Sequence, residues 1–152
     1  MKSFYKKGIN IIEFIIIFTI LSAIFAIVLP ELSKSRENQV VKSAVQEMLS
    51  SIDKARSQTL SSLNSSEYGV HFQSDKVIIF KGKVFSALDS NNENIEIVSP
   101  AFISTVSLTA GAGDLYFSRL SGVPSATGTV VVSSPNLSKT ITISATGVAS
   151  PN

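Results

Sequence analysis

Sixteen consecutive residues, Phe14 to Leu29, carry no charge, and a glutamate, Glu13, stands immediately in front of them. Counted from Ile9, the apolar segment runs 21 residues to Leu29. That is about 31 Å of helix at roughly 1.5 Å per residue, the thickness of a bilayer core. Many of these residues are isoleucines, whose β-branching makes them mediocre helix formers in water. In lipid the objection disappears, because a helix satisfies all of a single segment's backbone groups internally. Thr19 and Ser22 can return their hydroxyls to that backbone. A carboxylate inside such a segment is expensive to bury, so Glu13 is expected to have a specific partner. The plainest reading is a single-pass anchor. Glu13 argues against it, since an anchor gains nothing from a carboxylate one turn inside the membrane.

The flanking charges set an orientation. Lys2, Lys6 and Lys7 lie in an acid-free stretch from Met1 to Gly8, while Glu31, Lys34, Arg36 and Glu37 form a mixed cluster on the far side. This asymmetry places the amino terminus in the cytoplasm and the rest of the chain outside the inner membrane. The whole chain sums to +2, with 13 basic and 11 acidic residues. Without the three leading lysines the remainder stands at −1, so the basicity says nothing about nucleic acid. Cysteine is absent, which removes disulfide staples and thiolate metal sites. No Ala-x-Ala site lies between Ser22 and Pro30 for a general signal peptidase, so the apolar segment should stay on the mature protein.

Beyond Pro30 an amphipathic pattern takes over. Val41, Val45, Met48, Ile52, Ala55, Leu60 and Leu63 recur at three- and four-residue steps and predict one buried stripe. Lys34, Arg36, Lys42, Glu47, Asp53 and Arg56 occupy the other faces. Leu63-Asn64-Ser65-Ser66 reads as the stop, giving a helix over 9–63, about 80 Å long. From Ser66 onward short alternating runs of Val, Ile, Thr and Phe predict strands over 67–72, 76–81, 83–88, 95–98, 102–108, 114–118, 127–133 and 139–144. The expected fold class is α+β: a long amino-terminal helix, its hydrophobic half in a membrane and its amphipathic half packed on a carboxy-terminal antiparallel β-sheet domain.

The run Lys7-Gly8-Ile9-Asn10-Ile11-Ile12-Glu13, ahead of an apolar segment that ends at Pro30, resembles the amino terminus of the type IV prepilin and pseudopilin family. In that family a basic leader ends in glycine, a dedicated peptidase cuts after it, and the fifth mature residue is glutamate. The resemblance implies cleavage between Gly8 and Ile9, N-methylation of Ile9 and an assembly role for Glu13. The new amine of Ile9 would lie four residues before Glu13, on the same helix face, and in a filament Glu13 would instead meet the amine of an adjacent subunit. It further implies a kink or melted segment at Pro30, which removes one backbone donor. A helix stop after a membrane span is the other reading of that proline. The tail is similar to the minor GspH/FimT-like group: Leu115-Tyr116-Phe117, Gly122, Gly128 to Val132 and Lys139 to Gly147 follow its order of strand, glycine loop, strand and hairpin. Two residues depart from the family pattern, Ile9 where phenylalanine is usual and Asn10 where threonine or serine is. The tail from Gly147 to Asn152 has none of the arginines that DNA-uptake members carry, so DNA binding is not supported.

The expected organisation is therefore a cleaved leader (1–8), a transmembrane assembly helix (9–30), an amphipathic helix (31–65) and a β-rich head (66–152). The expected function is a structural subunit, a minor pilin or pseudopilin of a type IV pilus or type II secretion-like filament, and not an enzyme. Implied partners are other subunits, the prepilin peptidase and methyltransferase, an inner-membrane assembly platform and membrane lipid. The alternative is a membrane-tethered β module that binds a ligand and never polymerises. Three other features were weighed. His71, near Ser74 and Asp75, lacks the oriented nucleophile and oxyanion site of a hydrolase. Asp89, Asn91 and Glu93 offer oxygen at alternate positions, a weak calcium candidate without the glycine turn of the familiar loop, and read more simply as a solvated turn. Gly111-Ala112-Gly113 is too short to cradle phosphate and reads as a turn.

Overall fold

The computed structural model describes residues 11–109, 111 and 113–152. It is an α+β chain: helix α1 (Ile11–Leu60) is followed by a short 3-10 turn (Leu63–Ser65) and eight strands. The strands are β1 (Tyr68–Phe72), β2 (Lys76–Lys81), β3 (Glu93–Glu96), β4 (Phe102–Leu108), β5 (Asp114–Tyr116), β6 (Gly128–Ser133), β7 (Ser138–Ile143) and β8 (Ala149–Pro151). The chain divides into two compact units between Arg36 and Glu37.

In the first unit every described residue, Ile11 to Arg36, is exposed, and the most apolar window of the helix is 0% buried among the described residues. In the second unit the helix buries one stripe. Val41, Ala44, Val45, Met48, Ile52 and Ala55 are buried, at the three- and four-residue steps that put side chains on one face. Thr59 completes the stripe as a polar member: its hydroxyl donates to the Ala55 carbonyl at 2.9 Å and accepts the Tyr68 amide at 2.9 Å. A buried hydroxyl is tolerated when both of its capacities are used. Leu60 and Leu63, expected on the stripe, are instead 42% and 44% exposed. Leu60 is the last helical residue, five positions after Ala55 and off the face that Thr59 continues; beyond it Ser62 and Asn64 take positive φ angles of 50° each, which turns the chain away around Leu63.

The expected α+β layout of a long helix and an antiparallel β region is present, and the strands form two sheets. One is ordered β3-β2-β1-β5 and the other β4-β6-β7-β8, all antiparallel. Inward residues of both, Val70, Val77, Leu115, Val130, Val132 and Ile141 among them, join the helix stripe in one apolar cluster. With two sheets and a helix face to fill it, this region has a core without disulfides.

The predicted strand over 83–88 does not exist, and the reason is visible on the outer face of the first sheet. Strand β2 is buried on both faces, with Ile78 and Phe80 pointing away from the main core. The segment after Gly82 folds across that face: Phe85 packs edge-on against Phe80, ring centroids 5.7 Å apart, and stacks flat on His71 at 3.9 Å. Its apolar residues cover a sheet instead of joining one. The strand expected at 95–98 lies two residues earlier, because Ile95 pairs with Val77 and Glu96 with Lys76. Strand β8 was not anticipated, since three residues ending at Pro151 carry no alternation to read.

Gly69 pairs with Phe80, and the aromatic ring lies over it. A β-carbon at this position would overlap the Phe80 ring and stand 2.6 Å from the Leu115 carbonyl oxygen. Gly69→Ala is therefore expected to destabilise the fold by about 1–3 kcal/mol through overpacking. Urea unfolding of the full chain in detergent, followed by tyrosine fluorescence, checks this; an unchanged midpoint would contradict it.

Candidate functional site

The first half of α1 is the most unusual surface of the protein. Its most apolar 18-residue window has a mean hydropathy of 2.8 and is 0% buried, so this helix is long and apolar enough to cross a membrane. Large side chains from Ile11 to Leu29 are between 43% and 77% exposed. Polar groups within it are turned inward on the helix itself. Thr19 donates its hydroxyl to the Ile16 carbonyl at 2.8 Å, and Ser33 donates to the Leu29 carbonyl at 3.3 Å. Phe14 and Phe18, one turn apart, bring their rings to 4.8 Å. Thr19, Ser22, Ala23 and Ala26 form a run of small residues on this surface beside Phe14, Ile15 and Phe18.

Glu13 lies in the first described turn of α1 and is exposed. Among the described residues it enters no ion pair. Pro30 sits inside the helix, which continues on both sides of it, so the helix stop read from the sequence does not occur there. Its missing amide leaves the Ala26 carbonyl without the usual helical donor. Gly8, Ile9 and Asn10, on which cleavage and methylation rest, lie outside the described residues.

The other sequence candidates are placed in the second unit. Asp89 and Asn91 form a closed turn: the Asn91 amide and side-chain nitrogen donate to the same Asp89 oxygen at 2.9 and 2.7 Å. These bonds, the backbone one first, hold the Asp89 carboxyl below its usual range. Glu93 is engaged elsewhere, its two oxygens accepting from Lys54 at 2.5 and 2.7 Å. The three are therefore not brought together as one ligand set, and no group of three metal-ligating side chains is found among the described residues.

His71 has partners the sequence did not indicate. Its Nδ1 bonds the Asp114 carboxylate and its Nε2 lies 3.3 Å from the Gln73 amide nitrogen. Asp114 is 43 residues away and reaches His71 only because β1 and β5 pair; no local spacing announces that. Ser74 and Asp75 contribute backbone carbonyls instead, accepting from Ile103 and Ile97 at 2.8 Å each. Gly111 and Gly113 both take positive φ, 72° and 68°, as a turn requires; Ala112 lies outside the described residues. No family model, no curated protein and no solved structure matches this chain.

Two measurements follow from the Asp89 turn. In a carbon-detected NMR titration, Asp89 should titrate below the usual aspartate range. Asn91→Ala should raise that midpoint only partly, because the larger cause is the backbone bond that alanine keeps. The sign follows from a depressed folded-state value: the stabilisation is present above the unfolded aspartate range and is lost as pH falls through the folded midpoint. No upward movement in Asn91→Ala would show that the side-chain bond is not made.

Proposed function

We propose that this chain is a structural subunit of an inner-membrane-assembled filament of the type IV pilin kind, a minor pilin or pseudopilin. The observation that carries the reading is the spacing of Gly8, Ile9 and Glu13 ahead of an uncharged run long enough to span a bilayer. A leader cut after Gly8 gives a new amine on Ile9, the residue then methylated, and leaves Glu13 as the fifth residue. The chain waits in the membrane as a single-pass protein, amino terminus in the cytoplasm. On assembly the helices leave lipid for one another, and Glu13 meets the amine of a neighbour.

The physics of that step is selection by charge. Among apolar helices, dispersion forces distinguish one register from the next only weakly. A carboxylate left without a cation in that setting is penalised by several kcal/mol, so the aligned register is the one in which every Glu13 is paired. Pro30 helps by weakening the helix at one place, so that packed helices can adjust there. The small side chains of Thr19, Ser22, Ala23 and Ala26 on the exposed surface allow close helix approach. Partners on this reading are other subunits, a prepilin peptidase and methyltransferase, and an assembly platform.

Glu13→Ala separates this from a tethered module. The variant should still insert, since alanine only makes the segment more apolar. Recovery in sheared or sedimented filaments should fall by roughly a hundredfold, the consequence of about 3 kcal/mol when one member of a buried pair is removed. Equal recovery of Glu13→Ala and the parent chain would overturn the proposal.

A further inference from the structure

Among the described residues Leu88 is the most exposed large apolar side chain, at 96%, and Val84 on the same segment follows at 80%. A single exposed leucine is ordinary, but the loop that holds this one out is braced on both sides. Before it, Phe85 stacks on His71 and packs edge-on against Phe80. After it, the Asp89 amide donates to the Ser86 carbonyl and the Asn92 amide to the Asp89 carbonyl, at 3.2 Å each. The Asn92 side-chain nitrogen donates to the Ser86 carbonyl at 2.7 Å. Both Asn91 bonds to the Asp89 carboxylate fall on Oδ1, and Oδ2 accepts none among the described residues. The loop therefore presents an apolar tip and an open carboxylate oxygen in a fixed arrangement, so a contact made there needs little further ordering.

A surface of matching chemistry lies on the second half of α1. Lys42, Val45 and Leu49 follow one another at three- and four-residue steps along one flank of the helix. With Lys139 of β7 and Pro151 of β8 they line a groove of about 430 Å³. Val45, Leu49 and Pro151 give it apolar surface, and no aspartate or glutamate is among its lining residues. Its two cations, Lys42 and Lys139, are exposed and enter no ion pair among the described residues. The loop belongs to the other flank: it leads into β3, whose Glu93 is bonded to Lys54, and Glu47, Ser50 and Lys54 line that side of the helix. Leu88, almost wholly exposed, does not fill the groove of its own chain.

We propose that the Leu88 tip of one copy of this chain seats in the Lys42–Lys139 groove of a second copy, with Asp89 between the two lysines. Charge complementarity points to that occupant: the groove has cations and no acid, and the tip pairs its leucine with a carboxylate. The buried leucine supplies the affinity, while the charges orient the approach and exclude a cationic segment. Tip and groove are different surfaces on opposite flanks of the helix, so the contact is heterologous. Each copy keeps one of the two free for the next, and the row continues instead of closing at a dimer. This deepens the filament reading, and rests on it, by naming the faces through which neighbouring subunits meet outside the membrane helix.

The chain has no cysteine, so introduced thiols report without background. Ser90→Cys places one beside the tip and Gln46→Cys one on the rim of the groove. Full-length chains in liposomes are treated with a short bismaleimide. A mixture of the two single variants should give a mixed dimer, and the doubly substituted chain a ladder. Leu88→Ala removes a side chain that its own fold leaves in solvent, and in this background should lower the mixed dimer by about tenfold, the consequence of an apolar anchor lost from a contact. Lys42→Glu with Lys139→Glu should lower it by about fivefold, the scale of an exposed charge pair. An unchanged yield in Leu88→Ala would overturn the proposal. So would a mixed dimer no stronger than that of Ser90→Cys with Ser57→Cys, which lies further along the helix. Filaments that sediment without this cross-link overturn the contact alone. A cross-link that persists while Glu13→Ala leaves filament recovery unchanged overturns the filament reading alone.

Discussion

Water cannot hold the first half of α1, and the rest of the account depends on that. Fourteen large apolar side chains between Ile11 and Leu29 stand between 43% and 77% exposed. Removing such side chains from water is worth about 1.5–3 kcal/mol each when burial is complete. Even at half that, the segment forfeits about 10–20 kcal/mol in water, as much as the 5–15 kcal/mol that holds a typical domain together. Something apolar must cover it, and a bilayer or a bundle of like helices are the two environments of the right length. Glu13 fits the second better than the first. Lipid offers a carboxylate no partner, whereas a helix bundle can offer a cation at a fixed position.

The second unit does not share this dependence. Its core is closed by the buried stripe of α1 and by the inner faces of two sheets. Polar contacts fasten the same stretch of helix at both ends. Glu37 accepts from Asn136 at 3.1 Å, and Arg56 donates to the carbonyls of Thr146 and Gly122 at 3.0 and 3.3 Å. Lys54 reaches Glu93 on β3, but both side chains are nearly half exposed, so that pair contributes at most about 1 kcal/mol. These contacts set where the helix lies on the sheets; apolar burial supplies most of the stability.

The elements with a strong period were legible in the sequence. The α+β class followed from a helical stripe giving way to alternating runs, and β2 and β4 lie at the predicted residues. The stripe was read correctly from Val41 to Ala55 and failed at Leu60, which leaves the face that polar Thr59 continues, and at Leu63, which lies between the positive φ angles of Ser62 and Asn64. Residues 83–88 alternate like a strand, yet Phe85 is held by Phe80 and His71, a tertiary contact that overrides propensity. The split into two sheets and the His71–Asp114 pair depend on strand order, which no local pattern encodes. At the candidate site, Glu13 and the apolar run were plain from composition alone, because charge and hydropathy are local properties. On the proposed reading the partner of Glu13 belongs to another chain, and the sequence carries that only through the spacing to Gly8.

The most direct test of that spacing is the amino terminus of the chain recovered from membranes of cells that contain a prepilin peptidase, read by mass spectrometry of its first proteolytic peptide. The account predicts a peptide beginning at Ile9, with a methyl group on its amine, and Glu13 as its fifth residue. A chain still beginning at Met1, or one beginning beyond Leu29, would contradict it.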